Sequence, residues 1–310
     1  LGPLSRQVQP DVAIITTIEP AHIEFFSSVE AIADAKAEIF EGMGPGGVAV
    51  LNRDNPQYGR LLAAARTRGL PRIVTFGAHD EADARLADLA LHATCSSVIT
   101  TIKGEPLQYT LSLPGRHWAM NSLAVLLAVA QSGGDMAAAA RAMAHIKPPK
   151  GRGVRKLVQS ARGAFTLIDE SYNASPVSME AALAVLGKVD PGAGGRRIAV
   201  LGDMRELGSQ ANAFHEGLAA PLQRHGIDLV FCAGPHMRRL FDTLPARLKG
   251  GHAETAQELA PCVVQAVKSG DVVMVKGSAG SRTALVVEAL AAMDQKSTDQ
   301  HPAAVAAGRK

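Results

Sequence analysis

Blocks of apolar and polar residues alternate along the chain and predict strands and helices in turn. The first strands are short apolar runs, "DVAIITTI" from position 11, "VAVLN" from 48 and "RIVTFG" from 72, which are typical of buried parallel strands. Amphipathic segments over about 25–40 and 55–68 separate them and favour helices. This βαβαβ order predicts a parallel sheet with right-handed crossovers.

The pattern changes in the middle of the chain. From about 85 to 113, short polar and apolar alternations such as "SVITTIKG" predict antiparallel strands on one edge of the sheet. Helices are predicted over about 117–132 and 135–145. A second series of strands, each followed by a helix, comprises "AFTLID", "RIAVLG", "DLVFCAG" and "DVVMVKG". We therefore expect an α/β protein with a mostly parallel sheet, an antiparallel edge, and a second, Rossmann-like doubly wound domain.

The segment "HIKPPKGRGVRK" at 145–156 combines prolines, glycines and basic residues, which is typical of a domain boundary. We expect one domain over 1–151 and another over 152–310.

Composition narrows the functional class. The 310 residues are 47% hydrophobic, and 32 basic side chains balance 29 acidic ones, so neither a nucleic acid nor a membrane surface is an expected partner. The three cysteines are scattered and odd in number, which favours a reducing compartment. The apolar run over 123–130 is too short to span a bilayer. The expected location is the cytoplasm.

A lysine stands where the first predicted helix, 25–40, should contact the core. Ser27 and Glu30 predict a capping-box start, and Lys36 falls in the middle of the apolar face. Its stem could run along apolar surface and lift the ammonium group into water. Alternatively, burial lowers its pKa and makes the neutral amine available for modification or attack.

Two further patterns lie near this helix. His22 and Glu24 follow the first strand and fall at its carboxyl edge. The glycine-rich "GMGPGG" at 42–47 follows a helix and precedes a strand, the reverse of a dinucleotide fingerprint, so it predicts a turn. No GxxxxGK[ST] phosphate loop occurs in the sequence.

The strands of the second half end in polar and glycine residues that parallel pairing would bring to one edge. These residues are Asp169, Glu170, Gly202, Asp203, Gly234, Lys276 and Ser278. In "IDESYNASPVSMEAAL", Ser175 and Pro176 are explained as helix-start residues, whereas Asp169, Glu170 and Asn173 are not.

Five segments together resemble the Mur ligases of peptidoglycan synthesis, in particular the branch that adds D-alanyl-D-alanine. They are "PAHIEFF", "AKAEIF", "IDESYNASPVSMEAAL", "LGDMRELG" and "VKGSAGSR", in this order. The resemblance covers essentially the whole chain. It implies the greater part of a central ATPase domain followed by the complete amine-binding domain.

The resemblance implies a metal-dependent nucleotide site in the first domain. Lys36 is expected to be carbamylated by CO2 and to bind Mg2+, and His22 to bind a second Mg2+ ion. Asn121 matches an adenine-contacting asparagine, and Trp118 replaces another one, so stacking is expected in place of one hydrogen bond. Arg152 is expected to approach the ATP phosphates.

The resemblance also implies roles for residues of the second domain. Glu170 matches an aspartate near the ribose and γ-phosphate, and Asp169 beside it is expected in the same cofactor-binding group. Asn173, Lys276 and Ser278 lie where the family receives the incoming amine.

The implied reaction is ATP-dependent amide formation. A carboxylate of UDP-N-acetylmuramoyl-tripeptide attacks the γ-phosphate, the amine of D-alanyl-D-alanine attacks the resulting acyl phosphate, and phosphate leaves. We expect a monomer. Because the phosphate loop and the domain for the UDP-linked substrate are missing, we expect a truncated ligase without turnover of its own.

Two alternatives stay open. The chain could belong to another ligase of the same superfamily, such as the diaminopimelate-adding ligase or folylpolyglutamate synthase. It could also be a non-catalytic nucleotide-binding or interaction module, which the missing phosphate loop would favour.

Overall fold

A computed structural model describes residues 1–20 and 23–294. Within these residues the chain forms two six-stranded sheets, one built from each half of the sequence. Helices accompany both sheets, so the predicted α/β class is confirmed.

The elements of the first half follow one another from Gly2 to Ala142. The strands are β1 (Val12–Ile15), β2 (Val48–Asn52), β3 (Arg72–Gly77), β4 (Ala84–Leu91), β5 (Ser96–Ile102) and β6 (Glu105–Leu111). The helices are α1 (Gly2–Val8), α2 (Val29–Ala37), α3 (Tyr58–Thr67), α4 (Arg116–Gln131) and α5 (Met136–Ala142).

The first sheet has the order β1-β2-β3-β4-β5-β6. Its first four strands pair in parallel, and β4, β5 and β6 pair antiparallel. This confirms the predicted parallel sheet with an antiparallel edge. The hydrophobic pattern did not predict α1, because Leu4 and Val8 are exposed and its buried residues are Gly2 and Ser5.

Alternate residues of β2 serve the two faces of this sheet. Ala49 and Leu51 belong to the cluster that includes Ile32 of α2 and Leu61 of α3. Val50 belongs to the opposite cluster, with the apolar face of α4. The Lys36 helix and α4 therefore cover opposite faces of the sheet.

The predicted helix over 25–40 is divided into three pieces. Short 3-10 turns at Ile23–Phe25 and Glu38–Gly42 flank α2. The predicted cap Ser27 is wrong: the hydroxyl of Ser28 accepts the Ala31 N–H, because Ser28 has the extended backbone that aims its side chain at that donor. The glycine-rich segment that follows is the predicted turn into β2.

One buried polar pair links β6 to α4. The hydroxyls of Tyr109 and Ser122 lie 2.5 Å apart, and Ser122 Oγ also lies 2.7 Å from the Ala119 carbonyl. Burial raises the pKa of Tyr109 to about 12. The pair satisfies hydrogen-bonding groups that the surrounding apolar core could not.

We expect Tyr109→Phe to lower the free energy of unfolding by about 1 kcal/mol, the usual net value of one hydrogen bond. The effect should stay small because Ser122 Oγ keeps a partner in the Ala119 carbonyl. Urea denaturation would measure it, with Tyr172→Phe as the control, since Tyr172 is exposed. A loss equal to that of the control would contradict a stabilising role for the pair.

The elements of the second half run from Val154 to Ala291. The strands are β7 (Val154–Ser160), β8 (Gly163–Glu170), β9 (Arg197–Gly202), β10 (Leu229–Ala233), β11 (Lys249–Ala253) and β12 (Val272–Lys276). The helices are α6 (Pro176–Gly187), α7 (Ala211–Glu216), α8 (Ala219–Arg224), α9 (Pro235–Thr243), α10 (Ala256–Ala266) and α11 (Ala284–Ala291).

The second sheet has the order β11-β10-β9-β12-β8-β7. Five strands pair in parallel, and β7 pairs antiparallel with β8. The doubly wound prediction is confirmed, but β7 and β11 were not predicted. The first lies in a segment rich in basic residues, and the second, "KGGHA", has no apolar run.

The chain reverses direction across this sheet. From β9 it moves outward to β10 and β11, and then it returns to place β12 between β9 and β8. Helices α10 and α11 pack on one face of the sheet with the cluster that contains Val273 and Val275. A crevice is expected where such a reversal occurs, beyond the carboxyl ends of β9 and β12.

The chain separates into two compact units. The first comprises Leu1–Pro148, Ser175–Lys188 and Glu206–Ala211, and the second comprises Pro149–Ala174, Val189–Arg205 and the remainder. The predicted boundary between 151 and 152 stays a prediction. No helix among the described residues is both long and apolar enough to cross a membrane.

Candidate functional site

Lys36 lies near the end of α2, half-buried rather than fully in water. Its Nζ donates to the Thr17 carbonyl at 2.9 Å. Burial lowers the pKa of Lys36, and the nearby Glu19 carboxylate opposes this shift. The ammonium group is therefore easier to deprotonate than that of an exposed lysine.

The segment that faces Lys36 is fixed by a buried asparagine. Asn55 Nδ2 donates to the Ile18 carbonyl at 3.0 Å and to Thr17 Oγ1 at 3.1 Å. Thr17 Oγ1 in turn donates to Glu19 at 2.9 Å. Sequence patterns did not single out Asn55. It holds the strand-end segment against which the lysine amine is placed.

The predicted ligand His22 lies outside the described residues. Within the part of the chain that the structure describes, no three His, Cys, Asp or Glu side chains are grouped as a metal site. The unmodified amine of Lys36 is a donor and cannot offer an oxygen to a hard cation. A carbamate on that nitrogen would supply the oxygen ligands that Mg2+ prefers, so the chemistry of the position fits a metal only after modification.

Trp118 and Asn121 occupy the first turns of α4. Three positions apart on a helix, they lie on neighbouring parts of its surface. Trp118 is half-buried against the core, with its ring centroid 5.4 Å from that of the exposed His117. The structure therefore leaves part of the indole accessible, which the predicted stacking on adenine requires.

The carboxyl end of β8 carries two acidic residues in different environments. Asp169 is buried and accepts from the Ser171 hydroxyl at 2.6 Å and from its N–H at 3.1 Å. Its oxygen therefore stabilises the turn after the strand. Glu170 faces β12, where Lys276 is its register partner.

Lys276 and Glu170 form an ion pair in which the lysine is buried and the carboxylate is partly buried. Lys276 is 3% exposed, and its Nζ lies 3.5 Å from Glu170 Oε2 and 2.9 Å from the Asn173 carbonyl. Burial lowers the pKa of Lys276 while Glu170 raises it. Burial raises the pKa of Glu170 while Lys276 lowers it. Each charge therefore offsets the desolvation of the other.

Arg152 and Tyr172 stack at the same end of β8. The guanidinium carbon of Arg152 lies 4.6 Å from the centre of the Tyr172 ring, and both side chains are exposed. Arg152 also lowers the pKa of Glu170, as a smaller contribution than Lys276. The structure thus brings Glu170 and Lys276 together, as predicted from the strand ends, with Arg152 close to Glu170 and the Asn173 carbonyl bound to Lys276.

Ser278 connects the ends of two strands. It is buried, and its Oγ accepts the Arg205 N–H at 3.0 Å, while its own N–H donates to the Asp203 carbonyl at 3.2 Å. These bonds tie the turn after β12 to the turn after β9. Ser278 therefore contributes to the shape of the crevice between those strands.

A cavity of about 260 Å³ opens beyond the carboxyl ends of β9, β10 and β11, beside the turn that follows β12. This volume is slightly below the roughly 300–1,000 Å³ of pockets for drug-sized ligands, so it suits a small one. Its charged lining residues are Asp203, Arg205, Glu254 and Arg282. Further lining residues include Gly234, Thr255, Gln257, Gly280 and Ser281. The predicted residues Asn173, Lys276 and Ser278 are not among those that line it.

Asp203 is committed to the start of α9. Its Oδ1 accepts the Met237 N–H at 2.8 Å, and its other oxygen lies 3.5 Å from the His236 nitrogen. Gly234 makes this possible, because a Cβ there would lie 2.4 Å from the Asp203 carboxyl carbon and its φ of 116° disfavours other residues. The carboxylate therefore stabilises the helix N-terminus and is not free for a ligand.

Two arginines of the cavity were missed by sequence reasoning. Arg205 Nη2 donates to the Gly280 carbonyl at 3.0 Å, which holds the guanidinium at the rim. Arg282 has a left-handed backbone with φ 55°, a conformation that is costly for such a residue. Both lie within the quoted motifs "LGDMRELG" and "VKGSAGSR", whose position at strand ends was the available signal.

Two family models match the chain. The Mur ligase middle domain matches residues 2–129, and the Mur ligase glutamate ligase domain matches residues 155–279. These ranges contain the first sheet and all but the last helix of the second half.

Individual proteins are similar to the chain over nearly its whole length. The UDP-N-acetylmuramoyl-tripeptide–D-alanyl-D-alanine ligase of Rickettsia prowazekii is 30% identical over 293 residues, which are 93% of this chain and 63% of that protein. A crystal structure of MurF from Acinetobacter baumannii has a TM-score of 0.80 and 25% identity, and covers 93% of this chain and 61% of that one.

A third comparison concerns fold alone. MurF ligase from Thermotoga maritima, solved in complex with ADP, has a TM-score of 0.78 at 24% identity. The match covers 95% of this chain and 64% of that one. The chain therefore spans less than two thirds of the length of each of these relatives.

Proposed function

Because this chain carries the middle and C-terminal domains of the Mur ligases and belongs to that family, we propose that it is part of an ATP-dependent ligase that joins D-alanyl-D-alanine to UDP-N-acetylmuramoyl-tripeptide. The observation that carries the proposal is the small cavity beyond the carboxyl ends of β9, β10 and β11. We assign the activity to the cytoplasm and to a monomer.

The reaction forms one amide bond and consumes one ATP. The tripeptide carboxylate takes the γ-phosphoryl group from ATP and ADP leaves. The dipeptide amine then displaces phosphate from the acyl phosphate and loses a proton. Negative charge accumulates on phosphate and carboxylate oxygens, so nearby cations stabilise the transition state. Arg152, exposed at the end of β8, is suited to contact such oxygens.

In the first unit, we propose that Lys36 is carbamylated. The neutral amine attacks CO2, a nitrogen–carbon bond forms, and one proton leaves. The lowered pKa of Lys36 favours this step because a larger fraction of the amine is neutral. The carbamate would hold one Mg2+ ion and His22 a second, and such ions screen the charge of ATP phosphates when bound.

We propose that Trp118 and Asn121 of α4, in the first unit, contribute to ATP binding. Partial exposure of the Trp118 indole supports stacking on adenine, and Asn121 on the next turn supports a hydrogen bond to it. Glu170, with Asp169 behind it, is the proposed contact near the ribose. The solved ADP complex of a ligase with this fold supports a nucleotide as the cofactor.

In the second unit, the cavity supports a small anionic amino compound as ligand. Arg205 and Arg282 supply two cations at its lining, and a planar guanidinium binds a carboxylate through paired hydrogen bonds. Asn173, Lys276 and Ser278, the residues proposed for the incoming amine, lie at the same end of the sheet. In this arrangement Ser278 acts through Arg205, whose N–H it accepts.

We expect D-alanyl-D-alanine to bind this chain and Arg282→Ala to weaken binding about tenfold. Loss of a hydrogen-bonded charge contact is typically of this size. Isothermal titration calorimetry would measure it, with L-alanyl-L-alanine as the ligand control and Arg247→Ala, on the 3-10 turn before β11, as the protein control. Equal affinity of the wild-type chain for the two dipeptides would argue against the proposal.

Thermal protection by a panel of ligands would distinguish the proposed function from the two alternatives. A ligase for another amine should be protected against heat by L-alanine or diaminopimelate more than by D-alanyl-D-alanine. A non-catalytic nucleotide-binding module should be protected by ATP and by none of the amines.

A further inference from the structure

A buried histidine supports the turn that carries Arg205. His215 of α7 has no exposed surface, and its Nε2 accepts the Met204 N–H at 2.9 Å. That nitrogen must carry a lone pair, so the imidazole is neutral with its proton on Nδ1. Met204 immediately precedes Arg205, and its backbone N–H lies in a buried part of the turn.

The same turn is held on each side of Met204. The backbone N–H of Asp203 donates to the Ala233 carbonyl at 3.2 Å, and Arg205 N–H donates to Ser278 Oγ at 3.0 Å. Three consecutive amides are thus directed at three different elements. The partners on either side belong to the sheet ends, whereas the acceptor of the middle amide is the His215 side chain.

The imidazole is itself held in place. Its ring stacks on His236 at a centroid distance of 5.3 Å and an interplanar angle of 29°. The Nδ1 of His236 lies 2.8 Å from Asn212 Oδ1, and the backbone of His236 begins the helix that Asp203 caps. Asp203 Oδ1 lies 3.9 Å from His215 Nε2, too far for a hydrogen bond.

We propose that His215 is a positioning residue, which keeps the turn Asp203–Arg205 in the conformation that presents the Arg205 guanidinium to the cavity. The inference rests on the proposed function of that cavity in binding the incoming dipeptide. A leucine of similar volume would fill the space but leave the buried Met204 N–H without an acceptor. The turn would then rearrange to find water for this group, and Arg205 would move with it.

Two variants separate hydrogen bonding from packing. His215→Leu removes the acceptor, whereas His215→Gln places a side-chain oxygen near the position of Nε2. His236→Phe keeps an aromatic ring on the imidazole and serves as the matched control. All three are made in the 310-residue chain.

The first measurement needs no ligand. Amide hydrogen exchange should become at least tenfold faster at Met204 and Arg205 in His215→Leu, and should return toward the wild-type rate in His215→Gln. Amides of β10 and β12 report general loosening of the unit, and their rates should change much less. Unchanged protection of Met204 and Arg205 in a folded His215→Leu chain would overturn the proposal.

The second measurement is dipeptide affinity. His215→Leu should weaken D-alanyl-D-alanine binding by about tenfold, the loss expected for Arg205→Ala, and adding Arg205→Ala to it should cause little further loss. If His215→Leu does not fold, the comparison of His215→Gln with His236→Phe remains. Met204 should stay protected in both, and much faster exchange at Met204 in His215→Gln than in His236→Phe would also overturn the proposal. If wild-type chain binds no dipeptide, the proposed function fails, while the exchange result still decides the role of His215.

Discussion

Replacing Lys36 with alanine should reduce ligase turnover by about 10²-fold or more, the order expected when one group that stabilises transition-state charge is removed. The substitution removes the only atom of this side chain that CO2 can modify. Phosphate release would be measured with ATP, UDP-N-acetylmuramoyl-tripeptide and D-alanyl-D-alanine. The protein assayed would be a ligase of the full length of the relatives that contains this chain. Short carboxylates such as acetate should restore part of the activity to Lys36→Ala, because they can occupy the position of the carbamate.

Lys36→Arg provides the matched control for charge. Arginine keeps a cation at the site but stays protonated and does not react with CO2. If carbamylation is the role, Lys36→Arg should be as inactive as Lys36→Ala, and Lys147→Ala, an exposed substitution in the same unit, should be fully active. High activity of the arginine variant would mean that the site needs a cation.

A direct readout does not depend on turnover. The 310-residue chain in 13C-bicarbonate with Mg2+ should give a 13C NMR carbamate signal that Lys36→Ala lacks. Its intensity should rise with pH, since burial lowers the pKa of Lys36 and the neutral amine is the reactive form. If the signal were lost in Lys147→Ala and kept in Lys36→Ala, the modified residue would be Lys147 and the proposal for Lys36 would be wrong.

Removing Lys276 should give the largest loss of stability. Lys276→Met is expected to lower the free energy of unfolding by about 3 kcal/mol, because it leaves the partly buried Glu170 without its cation. Chemical denaturation would measure the loss, and Glu170→Gln in the same chain should recover most of it. Arg238→Met breaks an exposed pair with Asp242 and should cost less than about 1 kcal/mol.

The loss of stability caused by Lys276→Met should increase as the pH rises. In Lys276→Met, burial raises the pKa of Glu170 above its value in the unfolded chain. The stability that this pKa shift contributes is fully present below the pKa of Glu170 in the unfolded chain. It is lost as pH rises through the pKa of Glu170 in the folded chain. The free energy of unfolding of Lys276→Met, measured relative to that of the double variant with Glu170→Gln, should therefore be lower at pH 8 than at pH 5. A difference of the opposite sign would exclude an uncompensated Glu170 carboxylate as the cause.

Periodicity predicted most of the first sheet because β1, β2 and β3 are apolar runs and the antiparallel edge alternates polar and apolar residues. It failed at α1, whose buried positions are Gly2 and Ser5, and at β11, whose residues are lysine, two glycines, histidine and alanine. These elements are held by hydrogen bonds and neighbouring strands rather than by their own apolar faces. No local pattern records such partners.

Strand ends predicted which residues share one edge of the second sheet, and the register of β12 against β8 brings Lys276 to Glu170. The sequence could not show which residues at that edge line the cavity and which are buried in turns. Whether a side chain is buried in a turn, as Ser278 is, or lines the cavity, as Arg282 does, depends on turn conformation. His215 was missed because the amide that it binds lies eleven positions away and carries no side-chain signal.

The composition of β11 has a consequence for the protein at high concentration. As the outer strand of the second sheet, it presents one row of backbone groups that another chain could pair with. Its five residues include two glycines and Lys249, and they form strands poorly outside this context. A second copy would gain little by extending the sheet there. Substituting Gly251 with valine would weaken this protection and favour aggregation through edge-to-edge association, whereas a side chain at Gly250 would meet the buried Phe231 ring at 2.8 Å.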